Sequence, residues 1–323
     1  MSLPITIDDV RASRDRLTPF LEPTPLRRYP LLDLALHGVP LAVKHENMQP
    51  TGSFKVRNGL SVLTTLDDAE RRAGVVGAST GNHGLGLAYA GRQLGVSVTI
   101  CVPVGNNPEK TAAIRAWGAE VVEQGADYDE AIAVATELTR REGRMLAHST
   151  NDVRVLAGAG TMTLEILAQA PDLDVLLIAV GGGSQAVGAI AVARALRPSL
   201  QIIGIQAAGA PATHDSWHAG EPRTTPRAAT FAEGVATRAS YPLTFGALRE
   251  GLTDFITVTD AEIASAVRLI LSTTHHLVEG AGAMGVAAAI KLGERLHGQT
   301  VGVVFCGGNM DSAVLTRILN REL

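Results

Sequence analysis

Short apolar runs alternate with Ala- and Leu-rich amphipathic stretches along most of the chain, and that alternation predicts a succession of βα steps. Residues 74–79 form an apolar run that reads as a strand, and 82–94 carries the helical period that follows it. Strands at 96–102, 119–123 and 145–148 alternate with helices at 108–117, which opens on Pro108, and at 127–142. Each parallel crossover needs a helix, so these steps make a small parallel sheet. A second series runs through helix 153–169, strand 175–180, a glycine loop at 181–184, helix 186–197 and strand 201–206. Residues 207–253 are rich in Pro, Gly, Thr and Arg and read as a segment wrapped over the surface. Strand 255–258, helices 260–277 and 283–296, strand 300–305 and a helix from Asp311 complete the pattern. The expectation is an α/β fold with two parallel-sheet domains: a large one from 1–71 and 150–323, and a small one, 72–149, inserted into it.

Composition narrows the function classes. The 28 basic and 32 acidic residues give a formal net charge of −4, with no like-charge block or aromatic–basic stripe, so nucleic acid is not an expected partner. The apolar runs stop well short of the ~20 residues that span a bilayer, and the N-terminus shows no signal-peptide pattern. The two cysteines, Cys101 and Cys306, each end an apolar run, which suits a reduced, cytoplasmic protein without a disulfide framework.

Several polar or glycine-rich turns fall where predicted strands end, the edge at which open parallel sheets collect ligands. Lys55 is one of only four lysines and sits in Thr51-Gly52-Ser53-Phe54-Lys55-Val56-Arg57, on a Gly/Ser turn beside an aromatic ring. A desolvated lysine supplies a neutral amine near pH 7, as a Schiff base to an aldehyde cofactor requires; the plainer reading is an exposed lysine. Gly181-Gly182-Gly183-Ser184 joins a strand to a helix and suits a phosphate, although a tight βα turn has the same composition. It also satisfies a permissive dinucleotide fingerprint, but the acid expected at the end of the next strand is replaced by Gln206. Ser79-Thr80-Gly81-Asn82-His83-Gly84 gathers N–H groups and hydroxyls that suit a carboxylate or phenolic oxygen, or merely cap a helix. Cys306-Gly307-Gly308-Asn309 ends the last strand, where a buried structural thiol is the default. Glu279 lies on a turn before a small-residue helix, where a capping acid is equally ordinary, and His275 and His276 precede it on the helix 260–277 with no assigned role. No metal-binding spacing is present, and no metal is expected.

The order and spacing of these segments, with Lys44-x-Glu46-Asn47 and Ala157-Gly158-Ala159-Gly160-Thr161, resemble the threonine dehydratase/serine racemase group of pyridoxal-phosphate enzymes over nearly the whole chain. That resemblance implies a tryptophan-synthase-β-like fold (fold type II) and a homodimer. It implies that Lys55 bonds the cofactor aldehyde and then acts as base at Cα, that Phe54 packs on the pyridine ring, and that Asn82 meets its phenolic oxygen. Gly181, Gly182, Gly183 and Ser184 would hold the phosphate, Cys306 would face the ring nitrogen and Glu279 would lie near the ring. Ser53, Ser79, Thr80, Gly81 and His83 would meet the substrate, the last four at its carboxylate. The implied reaction is dehydration of a β-hydroxy amino acid to a 2-oxo acid and ammonia, with the cofactor phosphate as proton donor to the leaving hydroxyl.

Departures from the family pattern bear on specificity. Asn58 and Ala159 replace a usual Gly and Gln, which raises a question about the shape of the substrate pocket. Thr80 stands where serine racemases place a serine, which disfavours racemisation, and Gln206 and Ala212 replace the acidic cation ligands of that branch. The chain ends at Leu323 without room for a regulatory domain, so feedback by isoleucine is not expected. Rival readings are an amino-acid racemase, a nicotinamide-dependent oxidoreductase using the Gly181 loop, and a metabolite-binding protein without turnover. Threonine and serine are the simplest substrates. Phenylserine, 3-hydroxyaspartate and hydroxyectoine-derived amino acids stay open, although no further cation for a second carboxylate stands out.

Overall fold

Strands covered by helices on both faces bury every residue, as some strands here do. The computed structural model describes residues 3–36 and 38–323. Its larger sheet contains β1 (Leu26–Arg27) and β2 (Leu41–Lys44) from the N-terminal part of the chain. The smaller sheet takes the next four, β3 (Val75–Ala78), β4 (Val98–Val102), β5 (Glu120–Glu123) and β6 (Met145–Leu146). Later come β7 (Val175–Ala179), β8 (Gln201–Ala207), β9 (Asp254–Val258) and β10 (Val301–Val304), all in the larger sheet. The larger sheet has the order β1-β2-β10-β7-β8-β9 and is parallel except for the β1–β2 pair; the smaller has the order β5-β4-β3-β6 and is parallel throughout. β3, β4 and β10 are buried along their full length.

Local signals set the helix ends. Asn107 caps the helix Pro108–Ala116 by accepting from the N–H groups of Glu109 and Lys110, and Asp127 caps Tyr128–Glu142. Gly95 and Gly143, both left-handed, end the helices Asn82–Leu94 and Tyr128–Glu142.

The two sheets are joined through helices whose backbones nearly touch. The helix Lys55–Leu63 crosses Asn82–Leu94, which follows β3 of the smaller sheet. A Cβ on Gly86 would lie 2.3 Å from the carbonyl oxygen of Lys55, and one on Gly59 would lie 2.3 Å from that of Gly86. The helix Val153–Gln169 packs as closely on the other side, where a Cβ on Gly158 would sit 2.7 Å from the Arg57 oxygen. These contacts fix how far Lys55 stands from the turn that opens the Asn82 helix.

Four expectations need correction. Residues 207–253 are not simply a surface wrap: they form helices at Ala212–Ala219 and Pro242–Gly251, and they bury Ala232, Val235 and Leu248 against the larger sheet. Their apolar residues are spaced too irregularly to register as a period. The helix over 260–277 stops at Thr274, because His275 adopts the left-handed conformation (φ 58°), so His275 and His276 lie beyond it. The next helix starts at Gly280 rather than at 283. Lys55, read as lying on a turn, is the first residue of a helix.

Gly86→Ala should force the Lys55 helix and the Asn82 helix apart and lower stability by about 1–3 kcal/mol. A thermal melt superimposable on that of the parent protein would show that the crossing has slack.

Candidate active site

The carboxyl ends of β3, β7 and β10 converge on a cavity of about 550 Å³ lined by residues from both sheets. Lys55 enters it from the first turn of its helix, with Nζ 4.8 Å from the centre of the Phe54 ring. Burial draws its pKa down to about 8, opposed by the attraction of Cys306 and Glu279. Lys55 therefore holds an appreciable fraction of free amine near neutrality.

One wall is built for an anion. Gly181, Gly182 and Gly183 follow β7, Gly183 is left-handed (φ +98°), and the helix Ser184–Leu196 begins without a side-chain cap. Its first N–H groups and its positive end are thus free for a phosphate. Side chains at these glycines would collide: a Cβ on Gly182 would lie 2.4 Å from Thr150 Oγ1 and 2.8 Å from Tyr241 Cε2. Gln185, buried on the same wall, has an Nε2 without a protein acceptor. An aldehyde-reactive lysine and an anion cradle with spare donors in one cavity fit pyridoxal phosphate.

Opposite lies a chain of amides and an acid. Asn82 donates from Nδ2 to Glu279 Oε1 at 2.7 Å and accepts at Oδ1 from Asn309 Nδ2 at 2.7 Å; Asn309 also donates to the Thr51 carbonyl. One N–H of Asn82 remains for a ligand oxygen. Burial raises the Glu279 pKa, although the Asn82 hydrogen bond and Lys110 oppose it. Burial, reinforced by Glu279, lifts the Cys306 thiol well above its ordinary range, so Cys306 stays protonated.

Behind the cavity the Lys55 helix is anchored by a buried ion network. Arg57 donates to both oxygens of Glu46 at 2.8 Å and to both of Glu165 at 2.7 and 2.9 Å. Lys44 at the end of β2 adds 2.6 Å to Glu165, 2.7 Å to the Thr24 carbonyl and 3.0 Å to Gln169. Glu46 accepts further from Thr24 and Gln49. Sequence reading singled out Lys44-x-Glu46 and Arg57 only as motif positions; their pairing depends on Glu165, far along the chain.

The expected residues meet here with several changes of role. Phe54, Lys55, Ser79, Thr80, Gly81, Asn82, His83, the Gly181 loop, Ser184, Glu279 and Cys306 all line the cavity. Ser53 does not: it is fully buried, its backbone bridges Gly307, and its Oγ has no partner. The expectation that Ser53 meets substrate gives way to a structural position behind Lys55. The His83 ring is packed away from the cavity's open space, as the plainer reading of that turn allows. Its Nε2–H donates to the Ala147 carbonyl at 3.0 Å, and burial, then Lys55, push its pKa to about 3. The remaining Nδ1 is an acceptor, so only the backbone N–H of His83 can serve a carboxylate. Asn58 and Ala159 are fully buried between helices rather than on the cavity wall, so neither shapes the pocket directly. The position of a nucleotide-binding acid is taken by buried Gln206, which accepts from the His214 N–H at 2.8 Å and reaches Thr237 at 3.4 Å. Lys110, Glu233, Tyr241 and Asp311 also line the cavity; sequence reading missed the first three because they come from helices and loops remote from the motifs, and it took Asp311, two residues past Asn309, only as a helix start.

The family model described as pyridoxal-phosphate dependent enzyme matches residues 17–307, and the chain belongs to that family. It is 33% identical over 319 residues to the L-threonine ammonia-lyase of Thermotoga maritima, covering 99% of this chain and 79% of that protein. It is 35% identical over 303 residues to an L-threo-3-hydroxyaspartate ammonia-lyase of a Pseudomonas species, covering 94% and 95% of the two chains. The solved structure of maize serine racemase superposes with a TM-score of 0.92 at 29% identity, covering 99% of this chain and 98% of that one. These likenesses establish the fold type II architecture, an α/β fold of parallel sheets flanked by helices.

In the coenzyme-free protein, acylation of Lys55 followed by peptide mass mapping should accelerate as pH rises through about 8, where the amine loses its proton. A midpoint near the ordinary lysine value would mean that the cavity does not desolvate the amine.

Proposed function

We propose that the chain is a hydroxy-amino-acid ammonia-lyase, converting threonine or serine to the 2-oxo acid and ammonia with pyridoxal phosphate as coenzyme. The observation that carries this reading is the desolvated Lys55 sharing one cavity with an uncapped, glycine-lined helix start. Bound there through Lys55 and the Gly181–Ser184 loop, the coenzyme supplies a conjugated sink for the electron pair that develops at the substrate Cα.

The protein's own groups then divide the work. Backbone N–H groups of the 79–83 turn hold the substrate carboxylate at the head of the Asn82 helix, where the dipole favours negative charge. Lys55 Nζ, held near Cα, takes its proton as a neutral amine. Cys306 keeps its proton, so at the ring nitrogen it would hydrogen-bond without charging the ring, and negative charge at Cα would be only weakly stabilised. Loss of the β-hydroxyl as water, with the bound phosphate as the source of the proton on the leaving oxygen, would relieve that charge and favour elimination over reversible protonation. Asn82, locked by Glu279 and Asn309, would offer its remaining N–H to the phenolic oxygen.

A racemase is the second reading, supported by the serine racemase superposition and by Thr80 on the cavity wall. A proton donor on the opposite face of Cα is needed, and the β-branched Thr80 is stiff at χ1. Its carbonyl is further tied to Asn106 at 3.3 Å. Elimination is the better fit.

No helix among the described residues is long and apolar enough to cross a membrane, and a cytoplasmic setting suits the two free cysteines. A homodimer is part of the reading: Leu31, Leu34, Met48 and Leu277 are exposed, each within five residues in sequence of a member of the Tyr29–His45–His276 ring cluster.

Reconstituted with pyridoxal phosphate, the protein should release ammonia and a 2-oxo acid stoichiometrically from L-threonine or L-serine, and Lys55→Ala should lower the rate at least ~10³-fold. Borohydride treatment should fix the coenzyme on Lys55 alone. Turnover surviving in Lys55→Ala, or loss of optical rotation without ammonia, would point elsewhere. Light scattering should return twice the chain mass; a monomer would remove the dimer from the reading.

A further inference from the structure

The cavity has one cation besides Lys55. Lys110, on the helix Pro108–Ala116 of the smaller sheet's unit, runs its side chain over the carboxylate turn: a Cβ on Gly81 would lie 3.3 Å from Lys110 Cδ. Among the described residues that line the cavity, Lys55 and Lys110 are its only lysines and there is no arginine. A substrate with a second carboxylate would therefore look to Lys110.

Lys110 is already engaged. Its Nζ lies 2.5 Å from Glu233 Oε2 and 2.9 Å from Asp311 Oδ1, and both acids line the cavity. Asp311 is as well sheltered as Lys110, with side-chain exposures of 14% and 12%, whereas Glu233 is half exposed. Lys110 also acts on Glu279, the third acid facing this space. Glu233, Asp311 and Glu279 thus share the cavity with two amines, one more acid than base.

We propose that Glu233 and Asp311 mask Lys110 and so restrict the site to β-hydroxy amino acids with uncharged side chains, rejecting those with a second carboxylate. This rests on the ammonia-lyase reading and names its substrate class. A dianion would have to displace one carboxylate from Lys110 and then lie beside it, whereas a methyl or hydrogen at the same place disturbs neither. Specificity here comes from a repulsive element rather than from an added contact. The same three side chains tie the smaller sheet's unit to the larger one across the mouth, so their charge state bears on substrate affinity more than on the chemical step.

The test compares L-threonine with L-threo-3-hydroxyaspartate in the holoenzyme. The parent should favour threonine. Glu233→Gln with Asp311→Asn should move the kcat/KM ratio about tenfold toward the dianion, chiefly through KM, with the shift shrinking as salt rises. Adding Lys110→Met should cancel the shift, and Glu233→Gln alone, at a half-exposed site, should move the ratio in the same direction. A coenzyme-loaded Lys55→Ala background allows the same comparison without turnover, by calorimetric binding of the two amino acids. An unmoved affinity ratio there, or a parent that prefers the dianion, overturns charge masking. Failure of the parent to release ammonia from either amino acid overturns the ammonia-lyase reading instead, because the binding ratio still reports on Lys110.

Discussion

Arg57 is the fixed point of this structure. Its guanidinium is fully buried and receives two carboxylates, each through two hydrogen bonds, while Lys44 balances the second of them. Two positive and two negative groups leave the network formally neutral. Mutual pairing is what makes the burial tolerable, since breaking one side of such a network leaves an uncompensated charge that costs about 3–5 kcal/mol. The network ties the end of β2, the Glu46–Met48 turn and the helix Val153–Gln169 to a helix that starts two residues before Arg57. Lys55 is that first residue, so the reactive amine is held by an interaction it takes no part in.

The second constraint is distance. Glycines at the helix crossings bring backbone against backbone, which fixes the Lys55 helix relative to the turn that opens the Asn82 helix. The cavity lies between two sheets, and its floor is set by packing that admits no extra methyl. Packing of this density lets the walls carry polar groups with unfilled hydrogen-bonding capacity, such as the uncapped start of the Ser184 helix and the Gln185 amide.

Electrostatics inside the cavity work by opposition. Burial holds Lys55 partly neutral and Cys306 fully protonated, and it raises Glu279, all by the same desolvation acting on groups of different sign. In the proposed reaction a neutral thiol at the ring nitrogen and an amine near Cα would belong together, because a weakly stabilised carbanion is best resolved by expelling the β-substituent. Lys110 follows the other route: its carboxylate partners keep it charged, and that charge is spent inside the protein.

Much of this was written in the local sequence. The strand–helix alternation, the Gly181–Ser184 loop, the Ser79–His83 turn, Lys55 and Cys306 are each readable because period, glycine and capping residues act over a few positions. Their spacing identified the enzyme group before any contact was known. What the chain alone could not decide were pairings across long separations: Arg57 with Glu165, Asn82 with Glu279, Lys110 with Asp311. Nor could it assign Ser53 to the interior or fix the proton on His83 Nε2, because burial and hydrogen-bond partners exist only after the helices pack. Residues 207–253 make the same point, since their scattered apolar side chains lack a period and find a core only when the larger sheet is there to receive them. Local conformation is decided by neighbours in sequence, whereas charge state and specificity are decided by neighbours in space.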